Sequence, residues 1–101
     1  MGFRINHSKV ISQANSIADD ADRLGSQVNQ LTAMEQDVRM AWKGQAADTF
    51  LKRLATLKGE ISRTKQQMAN LASTIRYCAD RIQREDEEAE RRAAALKTSG
   101  N

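Results

Sequence analysis

An all-α protein, built as an antiparallel two-helix hairpin that pairs into a dimeric four-helix bundle, is the fold class this sequence predicts. Three observations carry that expectation. The 101 residues include no proline, five glycines and 29% charged residues, with Ala, Leu, Arg, Gln, Asp and Glu prominent, a composition that favours helix over sheet or disorder. Apolar residues recur at alternating spacings of three and four on both sides of the chain's middle, the rhythm of a coiled-coil seam. The strong interruption between the two runs is Trp42-Lys43-Gly44, too short for anything but a tight reversal. Length allows one domain: helix one over about 7–41, a turn at 42–44, helix two over about 45–95 and a disordered tail at 96–101.

Helix one has a readable start. Asn6 can accept from the free amides of the first turn, and Ile5 and Val10 occupy the two positions of a hydrophobic staple. Its seam runs through Val10, Ala14, Ile17, Ala21, Leu24, Val28 and Leu31 to Val38 and Trp42, with Glu35 as the one lapse, beside Met34. The sole histidine, His7, reads as a solvated first-turn residue.

At the turn, Gly44 supplies backbone freedom where a Cβ would be strained or crowded, and Ala46 and Ala47 leave room for the helices to close. Trp42 ends one seam and Phe50 begins the next, so their rings are placed to close the hairpin.

Helix two has Asp48 in its first turn, favourable at the positive end of the helix dipole. Its seam is Phe50, Leu54, Leu57, Ile61, Thr64, Met68, Leu71, Ile75, Cys78 and Ile82, with Thr64 the polar member. Cys78 reads as a small buried apolar residue. Beyond Ile82 the seam fades while helix formers persist. Glu85, Asp86, Glu87, Glu88 and Glu90 precede Arg91 and Arg92, at spacings that offer ion pairs along a solvated helix.

Both seams are broadened by neighbours such as Ile11, Ala18, Met34, Leu51, Ala55, Ala69, Ala72 and Ala79. A lone hairpin leaves one side of so wide a band in water, and pairing two hairpins removes the exposure. The residues expected in this core and pairing seam are Ile17, Leu24, Val28, Leu31, Leu54, Leu57, Ile61, Met68, Leu71 and Ile75. Gly25 and Gly59, within about a turn of the same level when counted from the reversal, predict close helix approach midway.

The inventory reads against several function classes. One cysteine and one histidine supply neither a disulfide framework nor a metal-ligand set, and no glycine-rich phosphate loop or carboxylates beside an apolar pocket suggest catalysis. No enzyme activity, cofactor, metal or small-molecule substrate is expected. The basic excess lies in residues 43–84, with 9 Lys/Arg against 3 Asp/Glu. These cations alternate with apolar positions without interleaved aromatics, so they read as a solvated face and nucleic acid as the weaker alternative partner. MGFRINHSKV lacks a signal-peptide core and carries Asn6 where myristoylation wants Ser or Thr. Export is therefore expected to use a route that reads no ordinary N-terminal signal.

Trp42-Lys43-Gly44, followed by Ala46, Ala47 and Phe50 between two heptad-like helices, closely resembles the WXG-hundred family, the small Esx-type proteins similar to the early secretory antigenic target of mycobacteria. The resemblance extends over the whole chain in length and architecture. It implies a non-enzymatic hairpin that pairs with itself as a homodimer, or with another such hairpin as a heterodimer. It further implies a cytoplasmic protein secreted through the type VII system without a cleavable signal peptide, by way of that system's ATPase, as a substrate, effector or co-secretion partner. Some hairpins resembling the family instead accompany larger toxins with helical N-terminal domains, which stands as the alternative function. The family's turn motif carries over onto Trp42 and Gly44, and would form a composite signal with a partner's C-terminal helix. That helix commonly carries a tyrosine followed four residues later by an acid. Here Tyr77 is followed by Asp80 at three, and Arg81 holds the fourth position, so the resemblance implies at most a degenerate signal at Tyr77 and Asp80.

Overall fold

The computed structural model describes residues 6–99. Helix α1, His7–Ala41, and helix α2, Gln45–Ser99, fold back on each other as an antiparallel hairpin, the architecture the seams predict. The molecule is a rod of 87 × 16 × 14 Å.

Local chemistry sets each helix end. The Asn6 side chain accepts from the Lys9 amide at 3.1 Å, a cap typically worth about 1 kcal/mol. Ile5, the other half of the staple expected with Val10, lies outside the described residues. At the far end, Trp42 leaves the helix in extended conformation (φ −131°, ψ 126°) while its amide still donates to the Val38 carbonyl. Lys43 Nζ donates to the Arg39 carbonyl at 2.7 Å, satisfying one acceptor that the ended helix leaves free. Gly44 has φ +115°, which an L-residue rarely adopts, and its carbonyl accepts from the Asp48 amide to open α2.

The two helices meet at alanines. Among the described residues the fully buried positions are Ala14 and Ala21 on α1, and Ala47, Leu54, Ala72 and Ala79 on α2. Ala14 and Ala21 lie one heptad apart, as do Ala72 and Ala79, so each pair falls on one line along its helix. Side chains this small let the helices approach closely, and the larger apolar residues are pushed to the flanks.

Cross-helix contacts fix the alignment. Phe50 meets Trp42, Lys58 reaches Thr32 and Glu35, Lys65 lies over Gly25, Arg76 holds Asn15 and Asp80 meets His7. Residues 84–99 therefore run past the start of α1 by roughly 24 Å at 1.5 Å per residue.

Several expectations are corrected. The helix continues through residues 96–99, where a disordered tail is expected. Ala93, Ala94, Ala95, Leu96 and Lys97 all favour helix, and Thr98 Oγ1 bonds back to the Ala94 carbonyl. Residues 100 and 101 lie outside the described residues. Cys78 is exposed, not buried, because its row on α2 falls on the flank of the contact. His7 is not free in solvent, since its Nε2 lies 2.6 Å from Asp80 Oδ1. Lys58 and Lys65 are not on a solvated face but are half-buried across the contact. Gly25 does mark a close approach, because a Cβ there would stand 2.7 Å from Lys65 Cε, whereas nothing lies within 4 Å of a Cβ placed on Gly59.

Candidate pairing face and turn

The hairpin has two unlike broad sides. Residues one heptad apart share a line along a helix packed in this way, so α2 presents Phe50, Leu57, Thr64, Leu71 and Cys78 in one row. All five are exposed, Leu57 at 45% and Leu71 at 51%. On α1 the row Val10, Ile17, Leu24, Leu31 and Val38 is half-buried throughout. The buried or half-buried Leu54, Ile61, Met68 and Ile75 fill the space between the rows, and Val28 continues the alanine line of α1, half-buried. Of the expected seam residues, Leu57 and Leu71 thus stand out of the hairpin's own core. The face they border is apolar at every heptad position of the two rows but Thr64, a stretch of a kind that marks a binding surface.

The opposite side is sealed by long polar side chains. Lys58 Nζ donates to Thr32 Oγ1 and to Glu35 Oε2, each at 3.1 Å. Arg39 Nη2 stands 3.5 Å from the other Glu35 oxygen. Arg76 donates twice to Asn15 Oδ1, at 3.1 and 2.6 Å. The lysine stem of residue 65 covers Gly25, and a shallow hollow near the turn is lined by Arg39, Asp48, Leu51, Lys52 and Ala55.

Glu35, the lapse in the first seam, is explained by this side. The Lys58 hydrogen bond, with the charges of Lys58 and Arg39 behind it, lowers the Glu35 pKa below its ordinary value of 4.5. A depressed carboxylate pKa adds stability that is present above the unfolded value and is lost as pH falls through the folded one. The thermal midpoint of the wild type is therefore expected to fall more steeply below pH 4.5 than that of Glu35→Gln. Parallel pH profiles in circular dichroism melts would show that this ion pair contributes nothing.

At the turn, the Trp42 and Phe50 ring centroids are 5.9 Å apart with the planes tilted by 50°, within the range of a favourable aromatic pair. The rings do not bury one another fully, since Trp42 is 44% and Phe50 38% exposed. Trp42, Lys43 and Gly44 also line a hollow together with Arg39, Asp48 and Leu51. The turn thus offers an aromatic surface at the end of the apolar face.

Tyr77 and Asp80 are not brought together. Tyr77 Oη accepts from Arg81 Nη1 at 3.4 Å, while Asp80 turns to His7. The Arg81 guanidinium has its pKa raised, first by the Tyr77 hydroxyl and then by Glu85, whose Oε1 accepts from Arg81 Nε at 3.3 Å. The links His7 to Asp80 and Asn15 to Arg76 escape sequence reading, because helical periodicity carries no signal for polar pairs 73 and 61 residues apart.

Among the described residues no helix is long and apolar enough to cross a membrane, and no three His, Cys, Asp or Glu residues gather as metal ligands. No curated protein and no solved structure matches the chain. A family model does, over residues 2–87, the family being described as proteins of 100 residues with WXG. Its members are small helical proteins associated with type VII secretion, and they generally form dimers. With Trp42 and Gly44 at the reversal of a two-helix hairpin and the match covering most of its length, this chain belongs to the WXG100 family.

Proposed function

We propose that the protein is a non-enzymatic secretion substrate, exported by a type VII system as one half of a two-hairpin unit. The observation that carries this reading is the apolar face of Leu57, Leu71 and their row, left in water by the single hairpin. That face ends at the exposed Trp42 and Gly44 of the turn. A second hairpin laid on the face converts apolar area in water to core, at about 25 cal/mol per Å². The Trp42 surface, at the end of that pair, is positioned as a recognition element for the secretion ATPase, in combination with a partner's C-terminal helix. Before export the protein resides in the cytoplasm and needs no cleavable signal.

The test is export from a host carrying a type VII system. Wild-type protein is expected in the culture supernatant only when the ATPase is intact, and Trp42→Ala is expected to stay with the cells while still being made. Supernatant protein that persists without the ATPase would overturn the reading.

A further inference from the structure

The cations of the polar side are not equally engaged. Lys58 is held by Glu35 and Thr32, the stem of Lys65 lies over Gly25, and Arg76 donates twice to Asn15. These three serve the contact between the helices. Toward the turn the cations lack such partners. The Lys52 ammonium makes no hydrogen bond or ion pair among the described residues, and Lys43 reaches only the backbone carbonyl of Arg39. Arg39 itself stands 3.5 Å from Glu35, a carboxylate it shares with Lys58.

Lys52, Lys43 and Arg39 ring one place. A hollow of about 360 Å³ is lined by Arg39, Asp48, Leu51, Lys52 and Ala55, and a second of about 300 Å³ by Arg39, Trp42, Lys43, Gly44, Asp48 and Leu51. Because they share Arg39, Asp48 and Leu51, the two form one groove between the last turn of α1 and the first turns of α2. Its floor is apolar, made by half-buried Leu51, by Ala55 and by the partly exposed Trp42. Three cations surround it against the single carboxylate of Asp48, which forms no ion pair among the described residues.

A cationic rim over an apolar floor suits a ligand that carries both chemistries. We infer that this groove is a docking site for an acidic peptide segment of another protein, on the side of the hairpin away from the pairing face. An aliphatic side chain of the segment sits on Leu51 and Ala55, and its carboxylates face Lys52, Lys43 and Arg39. Nucleic acid fits less well. It brings phosphates but no aliphatic side chain for the floor, and it needs a longer stripe of free cations than one that ends at Lys52, since Lys58 beyond it is engaged with Glu35. A lipid surface is too flat to enter a groove on the flank of a narrow rod.

Trp42 is the sole tryptophan and lines the groove, so its emission reports occupancy, with calorimetry as the second readout. The probe is a short synthetic peptide built from leucine, alanine and glutamate, and its counterpart carries glutamine in place of every glutamate. The wild type is expected to bind the glutamate peptide saturably, more weakly as salt rises, and to leave the glutamine peptide unbound. Lys52→Glu is expected to weaken binding at least about tenfold, because repulsion replaces attraction at the rim. Its helix content should not change, as Lys52 is exposed. Lys97→Glu makes the same change in net charge at the far end of α2 and is expected to bind like the wild type. Equal binding of the two peptides, equal weakening by the two variants, or no saturable binding by either readout overturns the inference. Anionic lipid vesicles and a DNA duplex are titrated alongside, and tighter Lys52-dependent binding of either than of the peptide also overturns it. The export reading stands apart from all these outcomes and is judged by its ATPase dependence.

Discussion

Leu71→Asp is expected to halve the native mass of the protein in solution while leaving its helix content unchanged. Leu71 is 51% exposed in the hairpin, so the hairpin itself loses little when the side chain becomes charged. The pair loses much more. Each hairpin of the pair gives up the burial of the exposed half of a leucine, about 0.8–1.5 kcal/mol. The carboxylate must also leave water or hold the hairpins apart, since an unpaired buried charge costs several kcal/mol. Even the lost burial alone, about 2 kcal/mol over both copies, weakens association by roughly thirtyfold. Light scattering across a concentration series measures it directly. Ala55→Asp is the matched control, as Ala55 is exposed beside Arg39, Asp48 and Lys52 on the polar side, and its mass should stay that of the wild type. If Leu71→Asp remains fully associated while Ala55→Asp falls apart, the pairing face has been placed on the wrong side of the hairpin.

The hairpin was legible in the sequence because its signals are local and agree with one another. Period, proline-free composition, the Asn6 cap and a glycine at the reversal all point to one architecture. What periodicity does not encode is which of two adjoining apolar rows turns inward. Leu54 and Leu57 both fit the alternating spacing, yet Leu54 is buried and Leu57 is not. The choice falls to the alanines at 14, 21, 72 and 79, which bring the helices together along a line beside the large residues and leave Phe50, Leu57, Leu71 and Cys78 outside. Cys78, in that outer row, is exposed for this reason.

The polar side was hidden for another reason. Glu35 looked like a fault in a seam because its partner, Lys58, lies on the other helix, 23 residues away. Lys58 and Lys65 read as solvent-facing when only their charge is weighed, but their aliphatic stems cover the helix contact while the ammonium groups stay at its edge. A charge inside an apolar row is therefore a pointer to a complementary charge at the facing level of the opposite helix. Once the turn at Gly44 is set, counting outward from it brings Glu35 and Lys58 to within about two turns of each other.

Ala72→Leu is expected to lower the thermal midpoint by roughly 5–20 °C. Ala72 is 1% exposed, and the line it shares with Ala79 is where small side chains keep the helices close. A leucine there adds three carbon atoms to a space already filled by the opposing backbone and its alanines, and overpacking of this kind costs about 1–3 kcal/mol. At roughly 4–8 °C per kcal/mol for a domain of this size, the shift follows. The two helices have little else to hold them, since among the described residues Leu54 is the only buried side chain larger than alanine. The damage should extend beyond the hairpin. Forcing the helices apart at Ala72 changes the distance between the α1 row through Leu24 and Leu31 and the α2 row through Leu57 and Leu71. A partner hairpin must match both rows at once, so the dissociation constant should rise together with the fall in midpoint. Ala55→Leu, an equal enlargement at an exposed position, is expected to change neither. Equal melting of Ala72→Leu and wild type in circular dichroism would mean that alanine does not set the helix spacing at this level.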